Sequence, residues 1–231
     1  MLGKRGVAAV QGPGRVRVRD AERRFLRLLG GRSERDVEYD FAFRNIAGSG
    51  LRVLDVGGCD SLLPRVLARY GHRVTVYDYR RYTERHRNLS VLSGDFLQNS
   101  LGAASFDIIL LVSTIEHIGL GAYGDPLRAD ADFEVMKEAR RLLAARGKLV
   151  LTLPFNEQEI VMPGFEHWYS PGRVERLLDG WSVCDQEFWR PDKKILGRWV
   201  RWRPTVAEEA AGAYRAVGMH GLACFALSGH R

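Results

Sequence analysis

The chain has 231 residues, 45% of them apolar, and a formal charge of +7. That length and apolar content suit one domain with a sizeable core. No apolar run reaches the ~20 residues a membrane-spanning helix needs, and Arg and Gly interrupt the N-terminus where a secretory signal would be apolar, so a cytoplasmic protein is expected. Cys59, Cys184 and Cys224 lie far apart with no metal-ligand spacing, which argues against disulfides and thiolate zinc. Of the 35 basic residues, 30 are arginine, lysine standing only at 4, 137, 148, 193 and 194. Such a charge points to an anionic partner or, because acidic residues are interspersed, to a general preference for arginine.

Residues 1–19 form a Gly-, Arg- and Val-rich arm without period. Residues 20–29 are helical in pattern, from Asp20 as cap to the Gly30-Gly31 stop, and a second helix is expected over 33–46 with Val37, Phe41 and Ile46 inward. A regular alternation follows. Strands are predicted at 51–56, 73–77, 89–92, 106–112 and 148–153, the last closed by Pro154. Helices are predicted at 62–70 and 133–144, the latter with Phe133, Met136, Leu142 and Leu143 inward. A helix at 173–178 and strands at 181–189 and 221–227 complete the pattern. Strands alternating with helices in this way give an α/β fold with a mostly parallel sheet.

Three loops carry chemistry. The apolar run ending in Asp55 enters a glycine turn, Gly57-Gly58-Cys59-Asp60, and then a helix. Glycine allows close backbone approach to a ligand, and a helix start offers free N–H groups. Asp55, at the strand end, is expected to be oriented by backbone groups. Asp78 ends the next strand about 20 residues later, where a carboxylate accepts ribose hydroxyls. Ser93-Gly94-Asp95-Phe96 adds a third carboxylate with a ring beside it.

The order of these loops, followed by Phe106-Asp107-Ile108-Ile109 and Gly147-Lys148-Leu149-Val150-Leu151-Thr152-Leu153-Pro154, resembles the class I S-adenosylmethionine (SAM)-dependent methyltransferases over residues 50–155. The Ser113-Thr114-Ile115-Glu116-His117-Ile118-Gly119 loop and Tyr123-Gly124-Asp125-Pro126 resemble a branch associated with cell-surface glycans and other small molecules. The resemblance implies a Rossmann-like, doubly wound sheet of seven strands, mostly parallel with an antiparallel last strand. It implies that residues 49–231 form the SAM-binding domain with an acceptor or lid insertion near 155–215, and that 1–48 belong to the acceptor side. Asp55, Gly57, Gly58 and Cys59 would hold the methionine end of SAM. Asp78 would take the ribose with Tyr79 against the adenine, and Asp95 and Phe96 would read the adenine. Ser113 and Thr114 would line the floor. Cys59 stands where the family has its second glycine, leaving Gly58 to make the tight turn or the cofactor poorly held.

Methyl transfer asks the protein chiefly for alignment, and an oxygen nucleophile also gains from a base. His117 is the candidate base, since imidazole titrates near neutrality, with Glu116 as reserve base or as the group orienting His117. Glu116, His117 and Asp125 are also conceivable ligands of a divalent ion, although no metal is assigned. The expected acceptor is a hydroxyl of a small molecule or glycan, near Phe155, Asn156, Glu157, Glu166, His167, Trp168 and Tyr169. Residues 189–204 interleave tryptophan with arginine and lysine, and at helical spacing Ile195, Leu196, Trp199, Val200 and Trp202 share a face. Such a segment suits peripheral contact with an anionic membrane, a phosphate-bearing acceptor, or simple packing on the sheet edge. The competing functions are an RNA methyltransferase, favoured by the basic charge, and a catalytically degenerate interaction protein, kept open by Cys59. The incomplete Gly-x-Gly-x-x-Gly pattern opposes a nicotinamide dehydrogenase.

Overall fold

The computed structural model describes residues 32–195 and 198–229. The arm, the helix expected at 20–29 and Leu196 lie outside the described residues. The first described helix, α1 (Glu34–Asn45), starts at a capping box: Ser33 accepts from the Asp36 N–H while the Asp36 carboxylate accepts from the Ser33 N–H. Its Val37, Phe41 and Ala42 are buried.

The central alternation forms as its pattern dictates. Strands β1 (Arg52–Val56), β2 (Arg73–Asp78), β3 (Leu89–Ser93), β4 (Phe106–Val112) and β5 (Leu143–Phe155) pair in parallel, with α2 (Leu63–Arg69) and α3 (Ala131–Leu142) as crossovers. Beyond β5 come a two-stranded hairpin, β6 (Ile160–Met162) and β7 (Glu166–Trp168), and then α4 (Pro171–Leu177). The chain closes with β8 (Trp181–Ile195), β9 (Arg198–Thr205), α5 (Ala207–Ala211), α6 (Ala213–Val217) and β10 (Gly221–Gly229). The main sheet has eight strands in the order β3-β2-β1-β4-β5-β10-β8-β9. The last strand in the chain, β10, is antiparallel to both neighbours, as expected, but the count exceeds seven because β9 adds an edge.

Alternate residues of each central strand feed opposite faces. In β4, Ile109 and Leu111 join the cluster containing α3 and α4, whereas Ile108, Leu110 and Val112 join the one containing α1 and α2. Asp107, the one polar residue of β4, sits at the sheet's rear rim and accepts the Arg52 backbone N–H and guanidinium.

Three expectations are corrected. Pro154 lies inside β5, opposite Leu222, and its carbonyl accepts the Tyr169 N–H. Leu143 has left the helix and pairs with Phe106 as the first residue of β5. Residues 189–204 form no helix; they are the β8–β9 hairpin, in which Trp189 faces Pro204 and Trp202 faces Pro191. Both tryptophans are buried in the α1–α2 cluster, brought together by the pairing across the hairpin. Among the described residues no helix is long and apolar enough to cross a membrane.

Replacing Ser33 with Ala removes the cap acceptor and is expected to cost about 1 kcal/mol, measured by urea unfolding.

Candidate functional site

The chain runs outward from β1 to β3, then returns to place β4 on the other side of β1. This reversal opens a crevice at the carboxyl ends of the strands. A cleft lies there, lined among others by Gly57, Asp78, Tyr79, Asp95, Phe96, Ser113, Thr114 and His117. One loop each from β1, β2, β3 and β4 therefore meets in one cleft. Asp55, Gly58, Cys59 and Glu116 do not line it, although the Asp55 carboxyl packs against Gly58 of the same turn.

Gly57 makes the tight turn, with φ +75°, and a Cβ there would come within 2.7 Å of the Thr114 side chain. Thr114 is fixed by donating its hydroxyl to the Val56 carbonyl at 2.8 Å. Gly58 is needed for space: a Cβ would meet the Asp55 carboxyl at 2.9 Å. Cys59 requires no glycine, since its φ is not positive and its N–H donates to Asp78 Oδ2 at 2.8 Å. The second glycine of the family pattern is thus unnecessary to this turn, and Gly57, not Gly58, takes the left-handed conformation.

Asp55 departs from expectation. Its Oδ2 is buried and has no hydrogen-bond partner, so backbone groups do not hold that oxygen. Burial pushes the carboxyl up to about 8. Asp78 accepts from the N–H groups of Cys59 and Arg80. Asp95 accepts the Leu97 N–H and pairs with Arg128 at 2.8 Å. Phe96 packs edge-on against Tyr77 at the cleft wall.

His117 lies between Tyr123 and Phe165, and its Nδ1 meets the Phe165 carbonyl at 2.6 Å. Because a carbonyl only accepts, that contact places a proton on Nδ1. Glu116 Oε1 is 3.8 Å from Nε2, beyond hydrogen-bond range, so the Phe165 carbonyl orients His117. Glu116 is buried with an unpartnered Oε2, and burial raises its pKa far above the usual carboxylate range. Asp125 is engaged by the N–H groups of Gly119, Gly121 and Tyr123 in its own loop, and no group of three metal-ligating side chains is found among the described residues.

Two residues escaped the sequence reading. Glu38 of α1 is buried and accepts the hydroxyls of Ser113 and Thr152 on one oxygen, at 2.5 and 2.7 Å. Ser113, held at φ +47°, is a strained position of the kind found at functional sites. Arg35 lies 3.3 Å from the other oxygen of Glu38, and its charge acts on Asp55, Glu116 and Glu34. Neither was legible, because nothing local on α1 marks residues whose partners are so distant in sequence.

The sequence matches, over residues 71–189, the family described as Caenorhabditis protein of unknown function, DUF268. The chain belongs to this family. The DUF268 segment begins just before β2 and ends within β8, so it includes Asp78, Asp95, Ser113 and His117 but neither Gly57 nor α1. No curated protein matches the sequence. The DUF268 chain is similar in structure to 1,6-didemethyltoxoflavin-N1-methyltransferase from Burkholderia thailandensis, solved with 1,6-didemethyltoxoflavin and S-adenosylhomocysteine. The identity is 15%, the TM-score 0.58, and 99% of this chain and 94% of that chain are covered. It is also similar to a TehB-like SAM-dependent methyltransferase from Corynebacterium glutamicum (14%, 0.52, 95% and 100%). The [4+2]-cyclase SpnF is another neighbour (14%, 0.58, 84% and 80%). These likenesses establish the Rossmann-like methyltransferase fold, and the cyclase shows that the fold does not by itself dictate the reaction.

The Asp55 carboxyl has a pH signature. Unfolded, it ionises near its ordinary value of 3.8; folded, it stays protonated to about 8. Unfolding between those values releases a proton, so this group makes stability fall as pH rises through the window. Asp55→Asn is expected to flatten the stability–pH curve there and to gain roughly a few kcal/mol at pH 8, measured by urea unfolding across pH.

Proposed function

We propose that this protein is a SAM-dependent methyltransferase acting on a hydroxyl of a small molecule or glycan. The observation that carries the reading is the convergence of four strand-end loops on one cleft, with the orphaned Asp55 oxygen against Gly58 of the first loop. The residues present fit the cofactor. A buried carboxyl without a partner suits an ammonium group, and Arg35, whose field reaches Asp55, suits a carboxylate. Together they would hold the amino-acid end of SAM. Asp78 would take the ribose hydroxyls, and Tyr79, Asp95 and Phe96 would flank the adenine.

The cofactor supplies a methyl group on a sulfonium, activated before it binds. The protein's share is alignment and proton removal. With Nδ1 turned to the Phe165 carbonyl, Nε2 is the His117 nitrogen that would accept the proton of the acceptor hydroxyl. Ser113 and Thr114, fixed by Glu38 and the Val56 carbonyl, shape the floor.

Calorimetric titration with S-adenosylhomocysteine and with adenosine tests the cofactor site. Asp78→Ala is expected to weaken both at least tenfold, whereas Arg35→Met weakens only S-adenosylhomocysteine. A folded wild-type protein that binds neither SAM nor S-adenosylhomocysteine overturns the reading. With a hydroxyl acceptor in hand, His117→Ala is expected to lower kcat/KM about 10²- to 10⁴-fold while S-adenosylhomocysteine affinity stays unchanged.

A further inference from the structure

Four exposed large apolar side chains share two loops beside His117: Tyr123 (46% exposed), Leu127 (77%), Val161 (49%) and Phe165 (57%). The loops are joined, since the Gly164 N–H donates to the Leu120 carbonyl at 2.9 Å and the Phe165 carbonyl holds His117. A single exposed apolar residue needs no explanation, but a group of them at the mouth of a cleft marks a contact surface. Behind the group opens a second cleft of about 280 Å³, walled by Ile115, Ile118, Leu120 and Val161 and closed by Tyr169 and Arg173. Ile118 lines both clefts, so they adjoin next to His117.

The chemistry of this second cleft narrows its occupant. Its charged wall is largely self-paired. Arg173 donates to both oxygens of Asp132 at 2.8 Å, to Asp130 at 2.8 Å and to Glu159 at 3.1 Å, and His167 Nε2 meets Glu159 at 3.1 Å. Little is left there to reward an ionic ligand. The Tyr169 hydroxyl, by contrast, is buried at the cleft without a hydrogen bond of normal geometry, and a neutral polar group would satisfy it. What remains to be covered is mainly apolar.

We propose that the second cleft binds the acceptor, and that the acceptor is amphipathic: an apolar aliphatic or aromatic body against Ile118, Leu120 and Val161, with its hydroxyl at His117. The proposal rests on the methyltransferase reading for its chemistry, though not for the binding itself. Within the small-molecule and glycan classes it favours a hydroxyl on an apolar carrier over a free sugar, which would leave this surface wet.

The test titrates 4-alkylphenols, from 4-methylphenol to 4-heptylphenol, into the full chain with and without S-adenosylhomocysteine. Affinity is expected to rise about two- to fourfold for each methylene buried. It is expected to fall at least tenfold in Val161→Asp, whose position on an exposed hairpin tolerates a charge in the folded state. Leu127→Ser, at the rim, is expected to weaken only the longer members. Affinity independent of chain length, or equal in wild type and in folded Val161→Asp, overturns the proposal; should that variant not fold, equal affinities in wild type and Leu127→Ser do so. Val161-dependent binding in a protein that ignores S-adenosylhomocysteine would uphold the second cleft and overturn the methyltransferase reading. The reverse pattern would overturn the second cleft alone.

Discussion

A buried carboxylate, Glu38, joins the first described helix to the working end of the sheet. One of its oxygens receives hydroxyls from Ser113 at the end of β4 and Thr152 on β5, and its other oxygen faces Arg35. Burying a charge is costly unless it is hydrogen-bonded, and here two hydroxyls and a guanidinium compensate it. The same carboxylate bonds Ser113, which takes a left-handed conformation at the switch point, and pairs with Arg35, whose charge reaches Asp55. Part of the cleft wall and a nearby charge thus depend on one side chain outside the loop motifs.

The parallel half of the sheet was legible because short apolar runs, glycine turns and carboxylates at strand ends are all local signals. Asp55, Gly57, Asp78 and Asp95 were found this way and Ser113-Thr114 through the family resemblance, and all but Asp55 lie on the cleft wall. Glu38 and Arg35 were not, because their partners arrive from β4 and β5 only after folding. The β8–β9 hairpin was misread because alternating tryptophan and arginine satisfies a helical and an extended repeat alike; the pairing of Trp189 with Pro204 decides for the strand. Cys59 was read against a family pattern, but the backbone puts the conformational demand on Gly57 alone and the close packing on Gly58.

The electrostatics of the cleft follow from burial more than from net charge. Although the chain is basic overall, Arg35 acts on three carboxyls, Asp55, Glu116 and Glu34, and burial raises the pKa of all three, Glu34 to about 7. Protonated carboxyls avoid the cost of desolvated charge and remain able to ionise when a cation arrives.

The start of α1 is fastened at the opposite side of the molecule as well. The Arg32 carbonyl accepts the Trp202 N–H of β9, and the Arg32 guanidinium lies over the Trp189 ring at 4.6 Å. One short stretch of chain therefore touches the outermost strand of the sheet and, two turns later through Glu38, its topological centre. Mechanically this is a strut. The edge hairpin and Ser113 are thus tied to the same helix, independently of the strands between them.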